Sequence, residues 1–307
     1  MADYLRVNRK NRDALFKFIF GNPVHKIYAL HLYNFLNGTN YTDENELEIV
    51  TLEDVIYLNY KNDVAVLLDS MINLWEQQTT WNPNMPFRMF VYLASEYESY
   101  VRMTDQNVYG SEPIKLPTPK SFVFYSGKED EPYRQELKLS NLFTKKETEA
   151  CTEFKVTVYN IHSKNNSELK NCEEIYEYTW LYSTVNEAIK NGKEIDEAIE
   201  DALNKMPDSF ILKPHLEAER ARVVRMMLTE FDAKRYYEMT LKEGREKGFS
   251  EGRAEGRAEG RAEGIKALIN SLRPYISNVD DMYKAIVANN SYSDISFEIV
   301  KSIYEKS

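Results

Sequence analysis

Two acidic side chains in a predicted β-hairpin are the residues of this chain best suited to chemistry. The hairpin covers residues 63–80, with Asp63 at its start and Glu76 and Gln78 on its returning strand. Side chains on a strand alternate between its two faces, so Glu76 and Gln78 share one face. Paired carboxylate oxygens on such a face are the ligands that a hard cation such as Mg²⁺ prefers.

The turn of the hairpin decides which side chain lies opposite Asp63. A two-residue loop at Asp69–Ser70 opposes it to Glu76, and a loop at Ser70–Met71 opposes it to Gln78. Either register predicts a separation of about 5 Å on the same face. A three-residue loop would oppose Asp63 to residue 77 and would separate the acids. The sequence alone leaves these alternatives open.

The face that carries the acids is otherwise apolar, with Ala65, Leu67, Ile72 and Leu74. Placing two carboxylates at the end of such a face is costly unless a cation compensates their charge. Acids near strand ends are also commonly solvated or salt-bridged. The spacing alone is therefore compatible with a metal site and with an ordinary ion-paired strand end.

Further motifs surround the hairpin in an ordered series. In chain order they are the Asp13–Phe16–Lys17–Phe20 pattern, the Asp63…Glu76-x-Gln78 core, the Met85–Pro86–x–Arg88 helix start, the PTPKSFVFYSG strand, the Val158–Tyr159–Asn160 strand and a glycine-repeat tail. Through this series most of residues 13–240 resemble the PD-(D/E)XK nuclease family transposases, which are the Rpn-type recombination-promoting nucleases.

The resemblance implies an α/β fold with a restriction-endonuclease-like mixed sheet flanked by helices. It also implies a Mg²⁺-dependent endodeoxyribonuclease, with Mn²⁺ as a substitute cofactor, linked to mobile-element recombination or phage defence. The catalytic residues that it implies are Asp63, Glu76 and Gln78, with Asp63 and Glu76 as the metal ligands. DNA is then the expected partner.

The third catalytic position departs from the wider superfamily, where a lysine commonly stands. Gln78 can orient a water or donate to a phosphate oxygen, but it carries no charge to stabilise a transition state. Lys61, two residues before Asp63, either supplies the missing cation or faces solvent at a strand edge. The alternative to a working enzyme is a catalytically degenerate DNA-binding or assembly protein that keeps the nuclease fold.

Basic residues near the N-terminus form a candidate DNA contact in a chain that is acidic overall. The chain carries 39 Lys and Arg against 49 Asp and Glu, a net charge of −10, which argues against a uniformly basic nucleic-acid coat. Asp13 and Lys17, one helical turn apart, have the spacing of an exposed ion pair. Arg88 either contacts a phosphate or pairs with an acid of the fold. The candidate DNA-binding residues are Arg6, Arg9, Lys10, Arg12, Lys17 and Arg88.

Hydrophobic periodicity predicts the elements that must position these residues. The pattern indicates helices over 12–36, broken at Gly21–Asn22–Pro23, and from Asn84 onward, and strands over Ser121–Tyr125 and Glu153–His162. After residue 165 it becomes helical, over 171–190, 195–204 and 214–240. The predicted organisation is a nuclease-like α/β domain over 1–165, a helical extension over 166–243, a repeat over 244–264 and a helical cap over 265–307.

The chain is expected to work in the cytoplasm. The strongly apolar runs, such as Val64–Leu68, are far shorter than a membrane span, and the N-terminus has no apolar signal core. Cys151 and Cys172 do not define a disulfide framework, and the four histidines show no zinc spacing.

Six of the 11 glycines lie in a repeat of period four, from Gly244 to Gly264. As a helix, this repeat would place Gly, Arg, Ala and Glu on four slowly winding ridges. Every i,i+4 charge pair within GRAEGRAEGRAEG is then like with like, and each glycine costs about 1 kcal/mol, so a lone helix should be poor. A second copy could place its Glu ridge against the Arg ridge. The repeat therefore predicts a homodimer, and the alternative is a flexible or marginally helical spacer.

Overall fold

The computed structural model describes residues 14–51, 63–127, 132–147, 149–162 and 170–306. The chain divides into two compact units, Met1–Lys234 and Arg235–Ser307. The division at 234/235 differs from the domain boundaries suggested by the sequence. Among the described residues, no helix is both long enough and apolar enough to cross a membrane.

The first unit is built on a six-stranded mixed sheet. Its strands are β1 (Glu48–Ile49), β2 (Val64–Leu68), β3 (Met71–Gln78), β4 (Thr118–Tyr125), β5 (Arg134–Lys138) and β6 (Lys155–Asn160). They lie in the order β1-β2-β3-β4-β6-β5. The β3/β4 and β4/β6 pairs are parallel, and the other neighbours are antiparallel. The mixed α/β class that the sequence predicts is confirmed, and β1 and β5 are strands that its pattern did not indicate.

Helices flank the sheet. They are α1 (Ala14–Phe20), α2 (Ile27–Asn37), α3 (Met85–Met103), α4 (Glu173–Lys190), α5 (Ile195–Asn204), α6 (Lys213–Ala218) and α7 (Arg220–Leu272), the last of which covers the glycine repeat. The predicted break at Gly21–Asn22–Pro23 separates α1 from α2. The single helix predicted over 214–240 is wrong at its start, because the backbone leaves helical geometry at Glu219 (φ −111°, ψ 25°).

The two faces of the sheet carry separate apolar cores. One face, with Val64, Val66 and Trp75, packs with residues of α1, α2, α4, α5 and α7. The other face, with Ala65, Leu74 and others, packs with α3. Both faces are buried because β2 and β3 alternate apolar side chains on each side. The hairpin therefore ends between helices of opposite layers, with α1 on one side and α3 on the other.

The turn of the β2–β3 hairpin is the two-residue loop at Asp69–Ser70. Both residues have positive φ (48° and 56°), as in the turns that match the twist of a tight hairpin. The Tyr41 hydroxyl donates to Asp69 Oδ2 (2.7 Å) and helps to hold the loop. This turn pairs Leu68 with Met71 and Val64 with Trp75. Extended by one residue, this register sets residue 63 opposite residue 76, which is the first of the alternatives that the sequence left open.

The second unit has its own small apolar core. Beyond α7 it contains α8 (Val279–Val287) and α9 (Phe297–Lys306). Its core residues are Ile265, Ile269, Met282, Ile286, Ile295 and Val300. Two residues of the repeat pack within this unit, because Arg261 pairs with Asp294 and Gly264 lies against the Tyr292 hydroxyl. Arg261 is therefore already paired within its own unit, so the arginine ridge is not open at this position.

Candidate active site

The hairpin brings Asp63 and Glu76 side by side in the interior. The exposed fraction is 4% for Asp63 and 2% for Glu76. The backbone N–H of Asp63 donates to Glu76 Oε2 (3.3 Å), which ties the two residues across the strands. Alternation holds here, because the amide of the intervening Gln77 points away and donates to Ser126 Oγ (2.8 Å). The predicted acid pair is thus assembled by local β geometry.

Lys17 of helix α1 supplies a cation to the first acid. Its Nζ lies 2.9 Å from Asp63 Oδ1, and its side chain is one-third exposed. The backbone N–H of Gln77 donates to Asp63 Oδ2 (2.7 Å), so both carboxylate oxygens of Asp63 have partners. Sequence spacing suggested that Lys17 pairs with Asp13, which lies outside the described residues. The contact with Asp63 joins the N-terminal helix to the hairpin.

Arg88 of helix α3 supplies a cation to the second acid. Its Nη2 donates to Glu76 Oε1 (2.6 Å) and also to the Tyr92 hydroxyl (3.1 Å), one helical turn further on. Gln78 Nε2 donates to the same Glu76 oxygen (3.1 Å). Of the two sequence interpretations of Arg88, the pairing with an acid is the one observed. Tyr92 was not a sequence candidate, although its i+4 spacing from Arg88 is a signal that could have indicated it.

Burial controls the protonation of the acid pair. It raises the pKa of Asp63, and the Lys17 charge and the Gln77 N–H oppose the rise. Burial also raises the pKa of Glu76 to about 8, aided by the neighbouring Asp63 charge and opposed by Arg88. Desolvation is the largest cause in both cases because it penalises the charged carboxylate. Such shifts are common where acids are used functionally, and they also occur in structural ion-pair networks.

The side chains at this site are of the types that bind Mg²⁺. Within the part of the chain that the structure describes, no three His, Cys, Asp or Glu side chains form a group able to hold a metal. Mg²⁺, however, is commonly held by one or two carboxylates together with substrate phosphates and water. Asp63 and Glu76 provide two such carboxylates, and Gln78 adds an amide oxygen beside them. All four carboxylate oxygens now have protein partners, so the metal would take over part of the compensation that Lys17 and Arg88 provide.

The structure gathers five of the sequence-predicted site residues at one point: Asp63, Glu76, Gln78, Lys17 and Arg88. The remaining candidates Arg6, Arg9, Lys10, Arg12 and Lys61 lie outside the described residues. The acid pair is therefore compensated by cations from two different helices, one from each side of the sheet.

A buried carboxylate on helix α7 holds the helix that carries Lys17. Glu230 Oε1 accepts the backbone N–H of Leu15 (2.9 Å), and Glu230 Oε2 accepts from the Tyr182 hydroxyl. Burial raises the pKa of Glu230 to about 8, against the effect of these hydrogen bonds. Sequence reasoning missed Glu230 because its partner is 215 residues away, and nothing in its local pattern marks it.

Comparison with known proteins identifies no relative of this chain. No protein-family model, no curated protein and no solved structure matches the chain. The residues and geometry of the site itself are therefore the basis for assigning its function.

Proposed function

We propose that this protein is a metal-dependent DNA endonuclease that hydrolyses phosphodiester bonds. The observation that carries the proposal is the buried Asp63–Glu76 pair at the end of the β2–β3 hairpin, with Lys17 at 2.9 Å from Asp63. A carboxylate pair with an adjacent cation suits phosphoryl chemistry. The carboxylates can hold a divalent metal, and the cation can stabilise the negative charge of the phosphate. The family resemblance stated from the sequence supports the same reaction class.

The proposed roles follow from the contacts. Asp63 and Glu76 would hold the metal, which when bound would supply Lewis-acid polarisation of the phosphate and an activated water. Gln78 orients a water or donates to a phosphate oxygen through its amide. Lys17 provides the positive charge that a lysine at position 78 would otherwise provide. Arg88 keeps Glu76 in place and ionisable in a buried position.

Plasmid cleavage tests this proposal. The wild-type chain is expected to nick supercoiled plasmid with Mg²⁺ or Mn²⁺ and to be inactive in EDTA. Asp63→Asn removes one metal-binding charge yet can still accept the Gln77 N–H, and the nicking rate is expected to fall by about 10³-fold or more. Circular dichroism checks that the variant folds. Metal-dependent cleavage retained by Asp63→Asn would refute the assignment.

A second candidate function is a DNA-binding or assembly protein that keeps the fold without turnover. One observation favours it: every carboxylate oxygen of the pair already has a protein partner, with Lys17 and Arg88 balancing both charges. Such a protein would bind DNA in a salt-sensitive manner and would leave the plasmid intact with every metal tested. The plasmid experiment therefore separates the two functions.

We further propose that the repeat in helix α7 pairs with the repeat of a second copy. A Cβ atom added at Gly244, Gly248, Gly252, Gly256 or Gly260 would meet no described group within 4 Å, so this ridge is open to close approach. Arg253 and Arg257 are exposed on the same segment and can face the Glu ridge of the partner. Pairing two copies would suit an enzyme that cuts both DNA strands.

Glutamates on the glycine ridge test the dimer. Gly252→Glu combined with Gly256→Glu should favour the helix, since each glycine costs about 1 kcal/mol, but should block close approach of a second helix. Light scattering is expected to give a dimer mass for the wild type and a monomer mass for this variant. The matched control, Gly252→Ala with Gly256→Ala, keeps a small ridge and should remain dimeric. A wild type that is monomeric at micromolar concentration would contradict the proposal.

A further inference from the structure

A cleft opens along helix α1 and the first turns of helix α7, and one of its lining residues, Lys17, pairs with Asp63. Its volume is about 370 Å³, and its lining includes Lys17, Phe18, Asn22, Arg222 and Met226. That volume falls within the range of about 300–1,000 Å³ that is usual for ligand sites. All of the lining residues lie in the first unit.

The cleft combines two cations with apolar walls and no carboxylate among its described lining residues. Lys17 and Arg222 are the charged members, and Phe18, Met226 and Pro23 are among the apolar ones. A local surface of this kind stands out in a chain of net charge −10. Two positive charges in a cleft with apolar walls suit a ligand that carries a phosphate on a sugar.

Arg222 lies over the ring of Phe18 in the wall of the cleft. Its guanidinium carbon lies 4.9 Å from the centroid of the Phe18 ring, which is a cation–π contact. A guanidinium carries five N–H donors, so a contact with one ring still allows it to donate to an anion. The Arg222 side chain is exposed, and among the described residues no carboxylate forms an ion pair with it.

Lys17 connects the cleft to the acid pair. Its Nζ is 2.9 Å from Asp63 Oδ1, and its side chain is 33% exposed, whereas that of Asp63 is 3% exposed. Lys17 therefore spans the boundary between the buried carboxylates and the open cleft. A phosphate in the cleft would lie next to the point where Asp63 acts.

We propose that this cleft binds a backbone phosphate of DNA next to the scissile bond, with Arg222 and Lys17 as its cationic contacts. The inference rests on the proposed nuclease function and specifies how the substrate backbone is held. Arg222 is a binding residue outside the family pattern found in the sequence. It acts through the phosphate, so it contributes affinity without sequence preference.

DNA binding measured in EDTA tests this site without any cleavage. Fluorescence anisotropy with a labelled 20-base-pair duplex is expected to show that Arg222→Gln weakens binding about tenfold, with a salt slope reduced by about 1. Arg222→Lys keeps the charge and is expected to retain the wild-type salt slope. The matched control is Arg225→Gln, an exposed arginine on the same helix that does not line the cleft, and it should bind as the wild type does.

The outcomes separate this site from the nuclease proposal. If Arg222→Gln weakens binding selectively but the wild type never cuts, the cleft stands as a DNA phosphate site, whereas its place next to a scissile bond and the catalytic assignment both fail. If the wild type cuts and Arg222→Gln binds like Arg225→Gln, the cleft assignment is overturned. Arg222-dependent binding of a deoxynucleoside 5′-monophosphate without any Arg222 effect on duplex binding would also overturn it.

Discussion

Replacing Arg88 by Met is expected to lower the free energy of unfolding by about 3–5 kcal/mol at pH 9, since it leaves a buried carboxylate without its cation. Arg88 Nη2 lies 2.6 Å from Glu76 Oε1, and the Glu76 side chain is only 2% exposed. Met replaces the unbranched stem of Arg without its guanidinium and favours helix, so the packing of that stem on α3 changes little. Urea denaturation followed by circular dichroism measures the loss.

The sign of the pH dependence identifies Glu76 as the cause. Burial already raises the pKa of Glu76 from its ordinary value of 4.5 to about 8, and removing Arg88 raises it further. The folded protein then keeps a proton that the unfolded chain releases above pH 4.5. Stability is therefore lost as pH rises from about 4.5 to the raised pKa of Glu76 in the folded protein. The loss of stability in the variant relative to the wild type should be small at pH 4 and largest at pH 9.

Two companion variants test the Arg88 result. Adding Glu76→Gln to Arg88→Met removes the uncompensated charge and should restore most of the stability at pH 9. Arg102→Met, on the same helix, breaks only the exposed pair with Glu98 and should cost less than about 1 kcal/mol. Equal losses for Arg88→Met and Arg102→Met, or a loss that does not change with pH, would contradict the buried ion pair.

Replacing Lys17 by Met is expected to lower the plasmid nicking rate by about 10²–10³-fold, because it removes the positive charge beside Asp63. The side chain at position 78 does not replace that charge, since Gln78 is neutral. The pH profile should change as well. Lys17 opposes the rise that burial causes in the pKa of Asp63, so its removal raises that pKa further. Asp63 must be ionised to hold a metal, and the acidic limb of the profile should move to higher pH.

Two further variants complete the Lys17 test, one at a control lysine and one that introduces a lysine at position 78. Lys26 directly precedes helix α2, and its Nζ donates to the Leu47 carbonyl (2.8 Å), so Lys26→Met should leave the nicking rate unchanged. Adding Gln78→Lys to Lys17→Met returns a cation beside Glu76 and should recover part of the rate. A Lys17→Met enzyme with the wild-type rate and pH profile would contradict the proposed role.

Local patterns in the sequence were sufficient to predict most of the elements around the site. Strand alternation placed Glu76 and Gln78 on one face, because the side-chain period of a strand is two residues and needs no distant contact. The break between α1 and α2 followed from Gly21–Asn22–Pro23, and the start of α3 followed from Asn84 and Pro86, since these residue types restrict the backbone directly.

The tertiary structure decided which turn the hairpin takes and which charges meet. The two-residue loop at Asp69 and Ser70, with positive φ at both residues, selected the register that brings residue 63 to residue 76, whereas the sequence had left two such registers and a three-residue loop open. Lys17 reaches Asp63 across 46 positions of the chain, and Glu230 holds α1 from 215 positions away. Periodicity and turn residues report on neighbours a few positions apart. Ion pairs and caps between distant segments depend on how helices pack on the sheet, so only the folded chain could show that two helices compensate the acid pair.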